Sequence, residues 1–186
     1  MHEPFFCVKT IGQSSAYPCD TNTLSVTLTA NVPMKGGSTV ITFSGFSSAN
    51  APDCKGATTC VVDLQEGANG MGQHNWFSDS AGGAKGKALW HQGGSLKGKL
   101  VAHVLLDIEC TTEVQFSFQL ENPSCEQPAQ TIQVEAKNVG NSEAMFKTAR
   151  QQHIAIAPMK ADTTTVLTAI KGAVAGDAAP LTVFRL

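Results

Sequence analysis

Two stretches of this chain alternate apolar and polar residues with a strict period of two. In "NTLSVTLTANV", Leu24, Val26, Leu28, Ala30 and Val32 share one side, while Thr23, Ser25, Thr27, Thr29 and Asn31 share the other. In "VQFSFQLENPSCEQPAQTIQVEA", Val114, Phe116, Phe118 and Leu120 repeat the pattern. It breaks at Asn122-Pro123, passes Cys125 and resumes at Ile132, Val134 and Ala136. Only an extended backbone sends successive side chains to opposite faces, so each stretch is a strand with one greasy side. β-Branched and aromatic residues fill both, as half-buried strands require. The second stretch reads as a hairpin, with Ile132, Val134 and Ala136 answering the first strand.

Further strands follow from the same pattern. Pro33 ends the first run, and Gly36 and Gly37 can adopt the positive φ of a turn. "STVITFSGF" then returns with Ile41 and Phe43 inward. "CVVDL" is a short strand inside a glycine-rich loop region, 47–87, and "KALWHQ" is another, carrying Trp90. "LKGKLVAHVLLDIEC" places Leu100, Ala102, Val104, Leu106 and Ile108 on one face. Val101 and Leu105 share the other face with His103 and Asp107, which suits a central or covered strand. "NSEAMFKTARQQ" allows one or two helical turns capped by Ser142. "HIAIAPM", "TTTVLTAI" and "PLTVFRL" supply late strands. Short strands at this spacing predict an all-β protein, an antiparallel β-sandwich of immunoglobulin-like or jelly-roll-like form with long loops. A barrel is the alternative. A chain of 186 residues with 42% apolar content fits one module spanning 1–186.

Sulfur narrows the setting. The six cysteines are Cys7, Cys19, Cys54, Cys60, Cys110 and Cys125, with no Cys-x-x-Cys pair. An even number without metal-type spacing points to three disulfides in an oxidising compartment. Local pairing, Cys7–Cys19, Cys54–Cys60 and Cys110–Cys125, is the simplest of the 15 arrangements that six cysteines allow. The start, "MHEPFFCVKT", lacks the basic and apolar regions of a signal peptide, so a secreted protein implies a mature chain or a fragment with an added Met. Asn122 is followed by proline and is no glycan acceptor.

Charge excludes some partners. Only 15% of residues are charged, the net charge is −2, and no lysine–arginine cluster occurs. Such a surface attracts neither nucleic acid nor an anionic bilayer. No apolar run reaches the ~20 residues of a membrane-spanning helix.

Motifs for chemistry are sparse. His2, His74, His91, His103 and His153 include no pair at i+2 or i+4. "QHNWFSDS" holds His74, Ser78, Asp79 and Ser80, the residue types of a hydrolase, without a nucleophile elbow or phosphate loop. Asp63, Glu66 and Asp79 qualify as paired acids by type alone. Structural calcium on "DLQEG" or "SDS" lacks the spacing of a calcium loop, and no cofactor is expected. The sharpest binding idea is carbohydrate. Sugar rings stack on aromatic faces, and Trp76, Phe77 and Trp90 stand near Gln73, His74, Asn75, Asp79, His91 and Gln92 in the 66–92 loops. Core packing is the competing role for those aromatics.

The order of several stretches also resembles a known family. "KTIGQSSAYPCDTNTLSVTLTANVPMKGGSTVITFSGF", "ALWHQGGSLKGKLVAHVLL", "FSFQLENPSCEQPAQTIQVEA" and "GDAAPLTVFRL" are similar to a tandem-repeated β-rich module of very large surface proteins of microalgae and related protists. Between Ser142 and Gln152 the chain is more polar than that pattern. The resemblance implies an extracellular or cell-surface setting and a chain cut from a longer array; with the sparse chemistry, the expected function is a non-catalytic structural or adhesive module. Its partners would be neighbouring copies or other surface proteins, and glycans under the alternative reading.

Overall fold

The computed structural model describes residues 4–46, 48–124 and 130–137. Among them are nine strands: β1 (Phe6–Gln13), β2 (Thr21–Ala30), β3 (Val40–Ser44), β4 (Thr59–Glu66), β5 (Phe77–Ser78), β6 (Lys87–His91), β7 (Lys99–Val104), β8 (Glu113–Glu121) and β9 (Gln133–Lys137). Two short 3-10 turns, Gln73–Trp76 and Gly94–Leu96, are the only helical pieces among the described residues. The strands form one sheet in the order β1-β2-β8-β4-β6-β7-β3-β9, with β5 beside β7. Every pairing is antiparallel. Among the described residues the all-β expectation holds. The two separate layers of a sandwich are replaced by one continuous sheet curled into a half-barrel.

Strand β4 makes the sheet continuous. Thr59 to Asp63 pair with β6, and Leu64 to Glu66 pair with β8. The half built on β8 is thereby joined to the half built on β6 and β7, and the curl brings their inner faces together. Phe43 on β3 meets Phe116 on β8 edge-on at 6.0 Å. Phe46 touches both Phe118 and Trp90 at 6.0 Å, and Phe77 lies 5.0 Å from Phe116. Offset and edge-on ring pairs add about 0.5–1.5 kcal/mol each beyond the area they bury. Leu24, Ile41, Trp90, Leu100 and Leu120 complete this interior.

The partners of the strands differ from the local reading. β9 does not return along β8; it pairs with β3 in the register Ile41↔Ala136 and Phe43↔Val134. β8 already has a neighbour on each side, β2 and β4. Likewise β3 does not return along β2 but lies between β7 and β9. Short connections between alternating runs suggest hairpins; β1–β2 and β6–β7 pair in that way, whereas β2 and β3, and β8 and β9, fall on opposite halves of the curled sheet. β7 ends at Val104, because Leu105 donates its N–H to the Trp76 carbonyl and Leu106 turns out to solvent. Gly37 takes the positive φ expected of it, 76°. Gly36 is required for room instead: a Cβ there would meet the Leu105 carbonyl oxygen at 2.5 Å. The late strands and the helical turn predicted beyond 137 lie outside the described residues.

A buried amide pair holds the far end of this sheet. Asn22 on β2 is fully enclosed and donates from Nδ2 to Asn122 Oδ1 at 2.9 Å. Its Oδ1 accepts the backbone N–H groups of Ser14 and Ser15 at 3.1 and 3.2 Å. Asn122 in turn donates to the carbonyls of Ser15 and Tyr17 at 3.1 and 2.9 Å. The loop between β1 and β2 is thus fastened to the end of β8 by side chains that satisfy its backbone groups. Truncating one member leaves the other buried without its partner, which costs about 1–3 kcal/mol. Asn122→Ala is expected to lower stability by that amount in urea unfolding, with m unchanged.

Candidate functional site

The loop from Gly67 to Trp76 is carried by one buried glutamine. Gln73 donates Nε2 to the Glu113 carbonyl at 2.8 Å, and its Oε1 accepts from Gln115 N–H and Asn69 Nδ2, each at 2.8 Å. Glu66 Oε1 accepts the Gly72 N–H at 2.8 Å. These bonds set the 3-10 turn Gln73–Trp76 against β8 and deliver Phe77 into the core, where it is wholly buried. The sugar reading counts Gln73 among the polar groups around the aromatics; the structure makes it a buried anchor of the loop instead. The burial of such a residue carries no periodic signal of its own.

The expected sugar platform does not assemble. Trp90 is fully buried against Phe46, its Nε1 donating to Gln92 Oε1 at 3.3 Å. Phe77 is equally buried, so two of the three aromatics serve the core. Trp76 is half-buried against that core. It shares its turn with Asn75, which is exposed, and His74, half-buried with Nδ1 enclosed and unpartnered. Asp79 lies beyond β5, and its Oδ1 accepts the Ser80 hydroxyl at 3.2 Å. His91 points outward from β6, opposite to Trp90. Among the described residues, no three histidine, cysteine or acidic side chains gather as a metal site. Acrylamide is expected to quench Trp76 emission in a Trp90→Phe variant, and to leave the emission of a Trp76→Phe variant nearly unquenched.

Sulfur follows the local reading at one place. Cys54 and Cys60 form a disulfide with Cα atoms 5.3 Å apart, clipping the loop into β4. A bridge over so short a loop contributes about 2 kcal/mol by chain entropy. Cys7, Cys19 and Cys110 are free and exposed, so the expected Cys7–Cys19 bridge is absent. The reason is length: Cys7 stands at the Ala30 end of the β1–β2 pairing and Cys19 beyond its other end. That is roughly 20 Å of strand, whereas bridged Cα atoms lie within about 7 Å. Cys125, and with it the expected Cys110–Cys125 bridge, lies outside the described residues.

A different surface emerges from the register. Val61, Leu89, Val101, Thr42 and Glu135 stand directly opposite one another across β4, β6, β7, β3 and β9. Their neighbours along each strand point into the core, so this row faces out. Val61 is 41% exposed, and the other four are partly exposed. Acid–lysine pairs bracket the row: Asp63 with Lys87 at one end, Glu135 with Lys137 at the other. Beside it run Thr59, His91, Lys99, Ser44 and Gln133. The sequence signal was available, since Val61, Leu89 and Val101 occupy the polar parity of otherwise regular strands.

Burial, and then the charge of Lys99 opposite, lowers the His91 pKa below the ordinary 6.5. The neutral ring is therefore favoured in the folded protein. The unfolded chain takes up its proton first as pH falls. Stability from this group is complete above the unfolded value and declines as pH drops through 6.5 to the lowered value. Thermal melts between pH 7.5 and 5 are expected to show that decline, and His91→Gln to flatten part of it.

No protein-family model and no curated protein matches the chain. No helix among the described residues is long and apolar enough to cross a membrane.

Proposed function

We propose that this protein is a structural or adhesive building block of an extracellular assembly, and that it docks through the outer face of β4, β6, β7, β3 and β9. The observation that carries the reading is the outward row Val61–Leu89–Val101. Apolar side chains aligned across three adjacent strands and left partly in water form a contiguous apolar strip, the kind of feature an interaction surface is built on. The occupant we assign is a second copy of the module. The row ends in an acid–lysine pair on both sides, so a copy turned through a two-fold axis meets it with matched charges. The Cys54–Cys60 bridge supports an oxidising setting. The resemblance to repeated modules of microalgal and protist surface proteins supports placement at a cell surface.

Glycan binding is the weaker reading. Of its three aromatics only Trp76 reaches the surface, and stacking on one half-buried ring leaves little area for a sugar. Soluble polysaccharides that shift Trp76 fluorescence would restore it.

The test is association. Sedimentation velocity is expected to show a concentration-dependent dimer or larger species. A Val61→Lys, Leu89→Lys double variant is expected to remain monomeric with an unchanged circular dichroism spectrum, because both side chains point away from the core. A wild-type chain that is monomeric up to millimolar concentration would remove this assignment.

A further inference from the structure

Asn69-Gly70 is the one Asn-Gly step in the chain. Such a step can react with itself: the glycine nitrogen attacks the side-chain amide carbon, and glycine carries no Cβ to crowd the approach. The structure puts this step at an exposed turn. Gly70 donates its N–H to the Gly67 carbonyl at 3.1 Å and takes a φ of 64°. Asn69 and Gly70 are both exposed, with open space where a Cβ on Gly70 would stand. Asn69 Oδ1 accepts the Met71 N–H at 3.3 Å, closing an Asx turn around the Gly70 peptide. That N–H is also a donor aimed at the oxygen on which charge gathers during attack.

The same side chain latches the loop. Asn69 Nδ2 donates to Gln73 Oε1 at 2.8 Å, and the Asn69 N–H donates to Gln115 Oε1 at 3.2 Å. Gln73 cannot turn its amide over to suit a changed partner. Its Oε1 also accepts the Gln115 N–H and its Nε2 donates to the Glu113 carbonyl, so a flip would break both bonds. Two carboxylates already belong to this cluster. Glu66 Oε1 accepts the Gly72 N–H, and Glu113 Oε1 accepts Gln115 Nε2 at 2.7 Å.

We propose that Asn69 is a spontaneous modification site, and that its conversion to aspartate or isoaspartate unlatches the loop from Gly67 to Trp76. The Gly70 nitrogen gives up its proton and bonds to Asn69 Cγ. Nδ2 leaves with that proton as ammonia, and a cyclic imide remains. Water then adds to either imide carbonyl and opens the ring, giving an aspartyl or an isoaspartyl residue. No oxidant or reductant takes part. An aspartate carboxylate, ionised at neutral pH, offers only acceptors. The bond to Gln73 Oε1 is therefore lost, and two acceptors face each other beside Glu66 and Glu113. The isoaspartyl form also inserts a carbon into the main chain, which moves Gly72 relative to Glu66. Attack requires the Gly70 N–H to leave the Gly67 carbonyl, so the rate follows local opening of the turn.

The test is storage of the folded whole chain at mildly alkaline pH over several weeks, followed by peptide mass mapping. The peptide holding Asn69 is expected to gain the mass difference between an amide and an acid, in both aspartyl and isoaspartyl forms. Asn69→Gln, whose longer side chain disfavours the ring, is expected to lose that gain. Gln73→Ala, checked for a native β spectrum, is expected to react several-fold faster than wild type. Asn69→Asp, made directly, is expected to raise acrylamide quenching of Trp76 in a Trp90→Phe background. A folded chain that gains no mass at Asn69 while the guanidinium-unfolded chain does would overturn the site. Unchanged Trp76 quenching in Asn69→Asp would overturn the release of the loop.

Discussion

The fold depends on one exchange of hydrogen-bonding partner. β4 spends its first residues against β6 and its last against β8. Without that exchange the molecule would be two small sheets, each with a bare apolar side. With it, the ladder is unbroken and the sheet can only bury its greasy face by bending over on itself. The rings of Phe43, Phe46 and Phe77 then meet Phe116 and Phe118 across the interior. The disulfide sits at the entry to this same strand, with Cys60 its second residue. The covalent clip therefore acts where the two halves are joined.

Polar groups decide the ends of the structure as the rings decide its middle. Asn22 and Asn122 lie 100 residues apart in sequence yet share a hydrogen bond with no water between them. Gln73 plays a similar part for the loop leading to β5. Buried amides of this kind contribute little net attraction, but each is expensive to leave unpaired. They therefore select one loop conformation over its competitors.

The strands themselves were legible because side-chain alternation is a local property. Leu24 to Ala30, Val114 to Leu120 and Leu100 to Val104 all bury the residues their pattern names. Pairing was not legible. Whether β9 lies beside β8 or β3 depends on which edges remain free after the sheet has curled, and no window of sequence contains that information. β1 was overlooked because only Phe6 and Ile11 of its eight residues turn inward, too few to make a pattern. The aromatic candidates misled for a related reason. Trp90 occupies a regular inward position on β6, and its strand parity was a better guide than the glycines nearby. The polar anchors Asn22, Gln73 and Asn122 have no periodic signature, and only tertiary proximity reveals them.

The seven residues Gln92 to Gly98 that connect β6 to β7 lead into a register with no freedom in it. Trp90 must face Leu100 within the core while Leu89 faces Val101 in water, and the strand pleat alternates at every residue. A one-residue slip of β7 against β6 would exchange its two faces. Lys99, Val101 and His103 would then be driven into the interior, and Leu100 and Val104 would be presented to solvent. The Gln92–Gly98 link therefore has to deliver Lys99 opposite His91, and the pairing it hands over fixes both surfaces of the sheet at once.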